Sequence, residues 1–475
     1  MRSIEQGKTL SYRPGGWYLG EKPTDLDPEK PPIVFVHGFH NSSFEWWKEN
    51  DMYDLAFENG YQTAFAELFP AESNWVNGKL LSKQLRAISK YFGQKVMVVA
   101  HSKGGVDTQT AAVYYGAYKY IANLITLSPP FYGSQLADLA YSGWTDWLSE
   151  FIDTRNGAIY SLQTGNMANF RKQTDQSTNT LKNQILTLAG NEWGTFGTST
   201  FWGGIFLSQF GDNDGAVTVK STRLPYSNEI KTGPWDHFTI KQGSSTFHLF
   251  EPYLSENKKI GRKTSIETYE NQSEAAHYFK GGKFEGVTEH ILHVENGVRK
   301  LHTDWLSSSK QIEIKLISPS GISYDPSSVA RDHQFFKDAF HHFFVIDLPE
   351  QGEWRVEAKS EKESAFLLNV HFDSDLNRKI NPERFYSERL FVLASERAGE
   401  NIKMKAHISH YHKGKLKKTI QLEYGKLDVS QEYPLKKKGY YIISIDLFGT
   451  TEQGEAFQRS ILHTAYVDQK AIKKR

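Results

Sequence analysis

The stretch Lys95-Val96-Met97-Val98-Val99-Ala100-His101-Ser102-Lys103-Gly104-Gly105 decides how this chain reads. Val96 to Ala100 is an unbroken apolar run, which suits a strand covered on both faces better than one that meets water. It leads directly into a serine with Ala100 two residues before it and Gly104 two residues after. Small residues at those two positions let a strand and the following helix pass closely, so the hydroxyl between them stands clear on a sharp turn. Val106 to Tyr115 can supply that helix. Ser102 is therefore the candidate nucleophile.

Similar runs lie on both sides. Ile33-Val34-Phe35-Val36 follows Pro31-Pro32, and Leu124 to Leu127 and Ile185 to Leu188 come later. Leu81, Leu85, Ile88 and Phe92 recur at helical spacing between the first two strands. Strand and helix in alternation predict a mostly parallel α/β sheet flanked by helices over residues 1–260. The segment 139–210 is longer than a sheet connection needs. Its Trp144, Trp147, Phe151, Trp202 and Phe206 predict a lid and acyl groove over the serine, with packing into the insertion's own core as the alternative.

A serine nucleophile needs a base and an orienting acid, which follow it in the order acid, then histidine, in enzymes built on such a turn. His237 follows the turn Thr232-Gly233-Pro234-Trp235-Asp236 and is the candidate base. His248, inside Phe247-His248-Leu249-Phe250, reads as a packed structural histidine. In Gly211-Asp212-Asn213-Asp214-Gly215 the candidate acid is Asp214, with Asp212 as the alternative. Two backbone amides should hold an oxyanion: that of Lys103, next to the serine, and that of Phe39, in the loop His37-Gly38-Phe39-His40-Asn41. His37 and His40 lie upstream of the serine and are read as structural.

These residues resemble bacterial lipases and carboxylesterases of the α/β-hydrolase superfamily over roughly residues 30–250. Val36-His37-Gly38-Phe39 is similar to the family's oxyanion loop, and Ala100-His101-Ser102-Lys103-Gly104 to the alanine-first lipase box of Bacillus-type lipases. Ser128-Pro129-Pro130-Phe131-Tyr132-Gly133-Ser134-Gln135-Leu136-Ala137-Asp138 resembles the segment after the next strand in larger bacterial lipases, with Phe131 where they usually carry histidine. The resemblance implies hydrolysis of carboxylic esters, in particular acylglycerols of short to medium chain, without a cofactor. The structural calcium of larger bacterial lipases is not carried over, because Thr239 stands where they have aspartate. No histidine cluster matches the zinc site of a thermophilic branch, so no metal is expected.

After about residue 255 the pattern changes to period two. Ile312, Ile314 and Leu316 alternate with charged residues, as do Ile402, Met404, Ala406 and Ile408, and Tyr441, Ile443, Ile445 and Leu447. Two all-β sandwich modules are predicted, over 280–375 and 383–475, the second immunoglobulin-like, joined by the polar stretch Asp373 to Pro382. His341, His342, His407, His410 and His412 are read as alternately exposed strand residues. By analogy the modules suggest an extracellular setting and a possible polymer or surface contact.

Composition narrows the alternatives. With 56 Lys and Arg against 55 Asp and Glu, no net field would attract nucleic acid. The absence of cysteine excludes thiol nucleophiles and disulfides. No apolar run reaches the ~20 residues of a membrane span, and the N-terminus has no signal-peptide core, which fits a mature form or a protein that is not exported. The basic tail Lys470, Lys473, Lys474 and Arg475 reads as a solvated end. Two rivals share the pattern: a polyester depolymerase using the β modules to hold polymer, and a non-catalytic binding protein on a hydrolase scaffold.

Overall fold

The four apolar runs become neighbouring strands of one sheet. The computed structural model describes residues 4–6, 13–151, 155–254, 275–380, 386–387, 390–393, 400–412, 414–424 and 431–468. The basic tail and Pro382 lie outside these. The strands of the first half are β1 (Ile4–Gln6), β2 (Trp17–Gly20), β3 (Ile33–Val36), β4 (Thr63–Ala66), β5 (Val96–His101), β6 (Ile121–Leu127), β7 (Gln184–Gly190) and β8 (Asn228–Gly233). They form an eight-stranded sheet in the order β1-β2-β4-β3-β5-β6-β7-β8. Every pairing from β4 through β8 is parallel, and β1 and β2 pair antiparallel at the edge.

Helices cover both faces, which is why the central strands carry no polar alternation. They are α1 (Met52–Glu58), α2 (Asn74–Phe92), α3 (Lys103–Tyr115), α4 (Gln135–Leu139), α5 (Gly157–Leu162), α6 (Thr164–Thr174), α7 (Ser199–Ser208) and α8 (Gly243–Phe250). On one face, Val34, Val36, Val98 and Ala100 pack with Leu81, Leu85 and Ile88 of α2. On the other, Ile33, Phe35, Met97 and Val99 pack with Trp46, Tyr53 and Phe247. The helical spacing in α2 is thus the stripe that meets the sheet. Its start is capped by the Ser73 side chain, which accepts from the Val76 amide, and it ends at Gly93 in the left-handed region, φ 71°.

The second half is antiparallel β. Its strands are β9 (His277–Val294), β10 (Lys300–Ser307), β11 (Glu313–Ile317), β12 (Ser323–Tyr324), β13 (Ser328–Arg331), β14 (Phe340–Asp347), β15 (Gly352–Asp373), β16 (Tyr386–Ser387), β17 (Leu390–Leu393), β18 (Glu400–His412), β19 (Lys415–Tyr424), β20 (Gln431–Pro434), β21 (Gly439–Thr450) and β22 (Ala456–Val467). The two blocks expected from the sequence share one hydrogen-bonded path, β13-β14-β10-β15-β9-β22-β21-β18-β19. The join is narrow: Ser460 of β22 opposes His277 of β9, and the Ser460 hydroxyl accepts from the Phe279 amide at 3.0 Å. Buried Arg459 ties the blocks further through Glu295 and, at 3.0 Å, Asn377.

The reading of the β-half histidines as alternately exposed does not hold for His341, His342 and His410, which are buried. His341 sits between two buried carboxylates, with Nδ1 2.7 Å from Asp304 and Nε2 3.3 Å from Asp332. Burial lowers its pKa, but the two carboxylates outweigh that and push it up to about 10. A cation that is ion-paired on both edges satisfies the condition for burying charge.

The halves share one hydrophobic core, in which Trp144, Phe206, Phe279, Phe336 and Tyr440 all take part. Trp144 stacks on Phe279 at 4.9 Å and donates its indole N–H to Asp446 at 3.1 Å. Thr164 and Thr464 hydroxyls meet at 2.6 Å, and the Tyr440 hydroxyl donates to Asp138 at 2.9 Å. Among the described residues no helix is long and apolar enough to cross a membrane.

Asp138 generates a prediction. It is fully buried, and burial, only partly offset by hydrogen bonds from Thr164 and Tyr440, pushes its carboxyl up to about 7. The fold therefore favours the protonated form. The stability conferred is whole below the ordinary carboxyl range and drains away as pH climbs through about 7. Asp138→Asn should raise the thermal midpoint relative to wild type at pH 8 and leave the two closer at pH 5. Calorimetry giving the same difference at both pH values would reject this.

Candidate active site

Ser102 occupies the junction of β5 and α3 with φ 52° and ψ −129°, a conformation few side-chain-bearing residues adopt. Close packing holds it there. A Cβ on Gly104 would meet the carbonyl oxygens of His37 at 2.5 Å and Val36 at 2.8 Å, so α3 can cross β3 only with glycine at that position. The Ser102 amide donates to Leu127 on β6 at 2.8 Å, which anchors the turn to the neighbouring strand.

His237 follows β8. Its Nε2 lies 2.9 Å from Ser102 Oγ, and its Nδ1 lies 2.8 Å from Asp214 Oδ2. The His237 amide also donates to the Asp214 carbonyl at 2.9 Å, so backbone and side chain fix the pair together. The other carboxyl oxygen of Asp214 accepts from the amides of Ala216 at 2.9 Å and Val217 at 2.8 Å. Burial raises this carboxyl, but His237 and hydrogen bonds from Ser128 and Val217 outweigh that and hold it below its ordinary value. Asp212, the alternative acid, is exposed. His248 is exposed on α8, not packed as the sequence suggested, because its helix turns Phe247 and Phe250 inward instead.

The loop carrying Phe39 lies against the serine: a Cβ on Gly38 would come within 3.0 Å of Ser102 Cβ. Lys103 opens α3, where a first-turn amide has no intrahelical partner. Its side chain is buried and gives both oxygens of Asp107 a hydrogen bond, at 2.7 and 2.8 Å. His37 is structural: Nδ1 is 2.9 Å from the Gly38 carbonyl and Nε2 accepts from the Leu68 amide at 2.9 Å. His40 Nδ1 meets the carbonyl of Gln334, a residue of the β half, at 3.2 Å.

An apolar cavity of about 80 Å³ adjoins Ser102 and His237, lined by residues including Leu136, Ala140, Ile159 and Leu162. Gln334, Phe335 and Phe336 of the β13–β14 loop line it too. None of Trp144, Trp147, Phe151, Trp202 and Phe206 does. Trp144, Trp202 and Phe206 are buried instead in the core shared with the β half, where Trp202 meets Phe336 at 5.4 Å. Trp147 and Phe151 are about two-fifths exposed, beneath the ammonium of Lys283.

Sequence reasoning missed two features. One is the loop 332–339, whose paired aromatics Phe335-Phe336 between polar neighbours were its only signal. Asp332 shapes this loop by accepting from the amides of Gln334, Phe335 and Phe336 at 2.6 to 3.0 Å. The other is Glu45, a lone acid in Phe44-Glu45-Trp46-Trp47. An acid embedded in bulky apolar residues signals burial with a partner.

No protein-family model matches the chain, and no curated protein matches it. Among solved structures it is similar to Bacillus licheniformis lipase BlEst2 in propeptide form, with 38% sequence identity and a TM-score of 0.85, over 96% of this chain and 98% of that one. It is also similar to the mature form of that lipase, with 51% identity and a TM-score of 0.49, over 51% of this chain and 99% of that one.

The buried pair beside the serine can be tested directly. Asp107→Ala leaves the Lys103 ammonium buried without its carboxylate, and should cost about 3–5 kcal/mol in urea denaturation. Replacing both partners, Lys103→Met with Asp107→Leu, should recover most of that loss. Equal losses in the single and double variants would contradict the account.

Proposed function

Since the chain belongs to the lipases and carboxylesterases of the α/β-hydrolase superfamily and is a carboxylic ester hydrolase, we propose that Ser102, His237 and Asp214 are its catalytic residues and that it cleaves acylglycerols of short to medium chain. The observation that carries this reading is the continuous hydrogen-bonded line from Ser102 Oγ through both ring nitrogens of His237 to Asp214, at 2.9 and 2.8 Å. His237 Nε2 takes the Ser102 proton as Oγ attacks the ester carbonyl. Asp214 keeps the Nδ1–H tautomer and stabilises the imidazolium that forms. The amides of Phe39 and Lys103 receive the developing oxyanion. His237 then returns its proton to the leaving alcohol, and a water that it activates releases the acid from Ser102.

The β half is read as a cover on this site. The relative matched over nearly its whole length is described as a propeptide form. Here Gln334, Phe335 and Phe336 of the β half line the same cavity as Ser102 and His237. A place in the wall of the serine's cavity favours a covering role over capture of polymer. An ester hydrolase closed by its own C-terminal half suits work outside the cell.

Ser102→Ala should lower hydrolysis of p-nitrophenyl butyrate by ~10⁶-fold with the fold intact. Turnover close to wild type in that variant would falsify the nucleophile assignment. Replacing both Phe335 and Phe336 with Ala in the full chain should speed labelling of Ser102 by a fluorophosphonate several-fold. An unchanged labelling rate would mean that the loop does not obstruct the serine.

A further inference from the structure

Glu45 is a fully buried carboxylate that joins three parts of the site coming from separate regions of the chain. Oε1 accepts from the Gly38 amide at 3.1 Å. Oε2 accepts from Asn41 Nδ2 at 2.6 Å and from Lys241 Nζ at 2.7 Å. Gly38 and Asn41 flank Phe39 in the oxyanion loop, and Lys241 lies just after His237. The third neighbour is His101, the residue before the serine, whose Nδ1 makes no hydrogen bond among the described residues. Its Nδ1 lies 3.4 Å from Glu45 Oε2, and its Nε2 lies 2.8 Å from the backbone carbonyl of His237. A carbonyl only accepts, so Nε2 carries the proton and donates.

We propose that Glu45 is a positioning residue for ester hydrolysis: it is the buried anion that pins the oxyanion loop and the His237 loop to one another across the serine. The inference rests on the proposed roles of Ser102 and His237. It requires Glu45 to be ionised. Burial alone would raise its carboxyl, but Lys241, His101 and His37 overcome that and hold it well below the ordinary range. Burial lowers the His101 pKa while Glu45 opposes the fall. Asn50 reinforces the link, donating to the Glu45 carbonyl at 2.7 Å and the Lys241 carbonyl at 3.0 Å. Glu45 and Lys241 do not line the cavity beside Ser102, whereas Asn41 and His101 do. The network's effect on the reaction runs through the placement of the Phe39 amide and the His237 ring, where displacements of about 1 Å can cost ~10²-fold in rate.

The charged and titratable groups facing Glu45 are Lys241, His101 and His37, and those facing His237 are Asp214 and His101. Two substitutions therefore unbalance the network in opposite senses. Glu45→Gln removes a buried anion and leaves the Lys241 cation uncompensated, so the acid limb of kcat/KM should move to lower pH. Lys241→Met leaves the Glu45 anion uncompensated and should move that limb to higher pH. Glu45→Gln should also lower kcat on p-nitrophenyl butyrate about 10–100-fold while KM changes less than about 3-fold. Combining the two substitutions should bring the limb back toward wild type.

A well-folded Glu45→Gln with wild-type kcat, or acid limbs that stay put in both variants, overturns the inference. If Glu45→Gln does not fold, the limb of Lys241→Met decides the matter alone. Wild-type turnover that Ser102→Ala leaves untouched would remove the reading on which the inference rests. Turnover that depends on Ser102 but ignores Glu45 and Lys241 would remove only the inference.

Discussion

The close passage of α3 across β3 is the constraint on which the rest depends. It forces Ser102 to a φ of 52° and fixes where the hydroxyl emerges. Because Gly104 lies against the carbonyls of Val36 and His37, the loop that continues from β3 and carries Phe39 is necessarily beside the serine. Such a turn is costly on its own and persists only where surrounding contacts over-determine it. Here they include the bond to Leu127 on the adjacent strand, the largely buried strands on either side, and the buried Lys103–Asp107 pair in the first turn of the helix. The loops bearing Asp214 and His237 then need only reach one fixed point at the sheet's rim.

The β half is organised around a different requirement. Its loop 332–339 gains its shape from Asp332, and Asp332 is held by His341, which Asp304 holds in turn. Those partners all belong to the β half. The loop therefore arrives at the serine with its form set from behind, while Phe336 and Trp202 supply the apolar contact in front. Trp144, Trp202 and Phe206 of the long insertion are buried in this shared core.

The α/β half was legible because its signals are local. Apolar runs without alternation specify strands covered on both faces, and small residues around Ser102 specify the turn. Asp214 and His237 could be placed beside Ser102 because chain order restricts the choice, and the three side chains do meet within hydrogen-bonding distance. Period-two alternation likewise marked the β strands. What stayed hidden depends on partners distant in sequence. Hydrophobicity says that Trp144 and Phe206 will be buried, but not that Phe279 will bury them. Alternation cannot distinguish His341, ion-paired inside the β half, from a histidine facing water. Nor can it show that Ser460 and His277 fuse two blocks into one sheet. Glu45 has partners in two separate loops, and a single acid among aromatics gives no hint of which loops it will tie.

The covering loop and the serine belong to one polypeptide, so on the reading above inhibitor and enzyme are made in equal number and held near each other at millimolar-scale effective concentration. At that concentration even a modest intrinsic affinity would keep the loop in place. Were the chain between the halves cut, the same contacts would have to hold as an ordinary bimolecular complex, and dilution would begin to matter. A severed pair would stay shut where it is crowded and open as it spreads. Activity would then depend on how far the protein has travelled from where it was made.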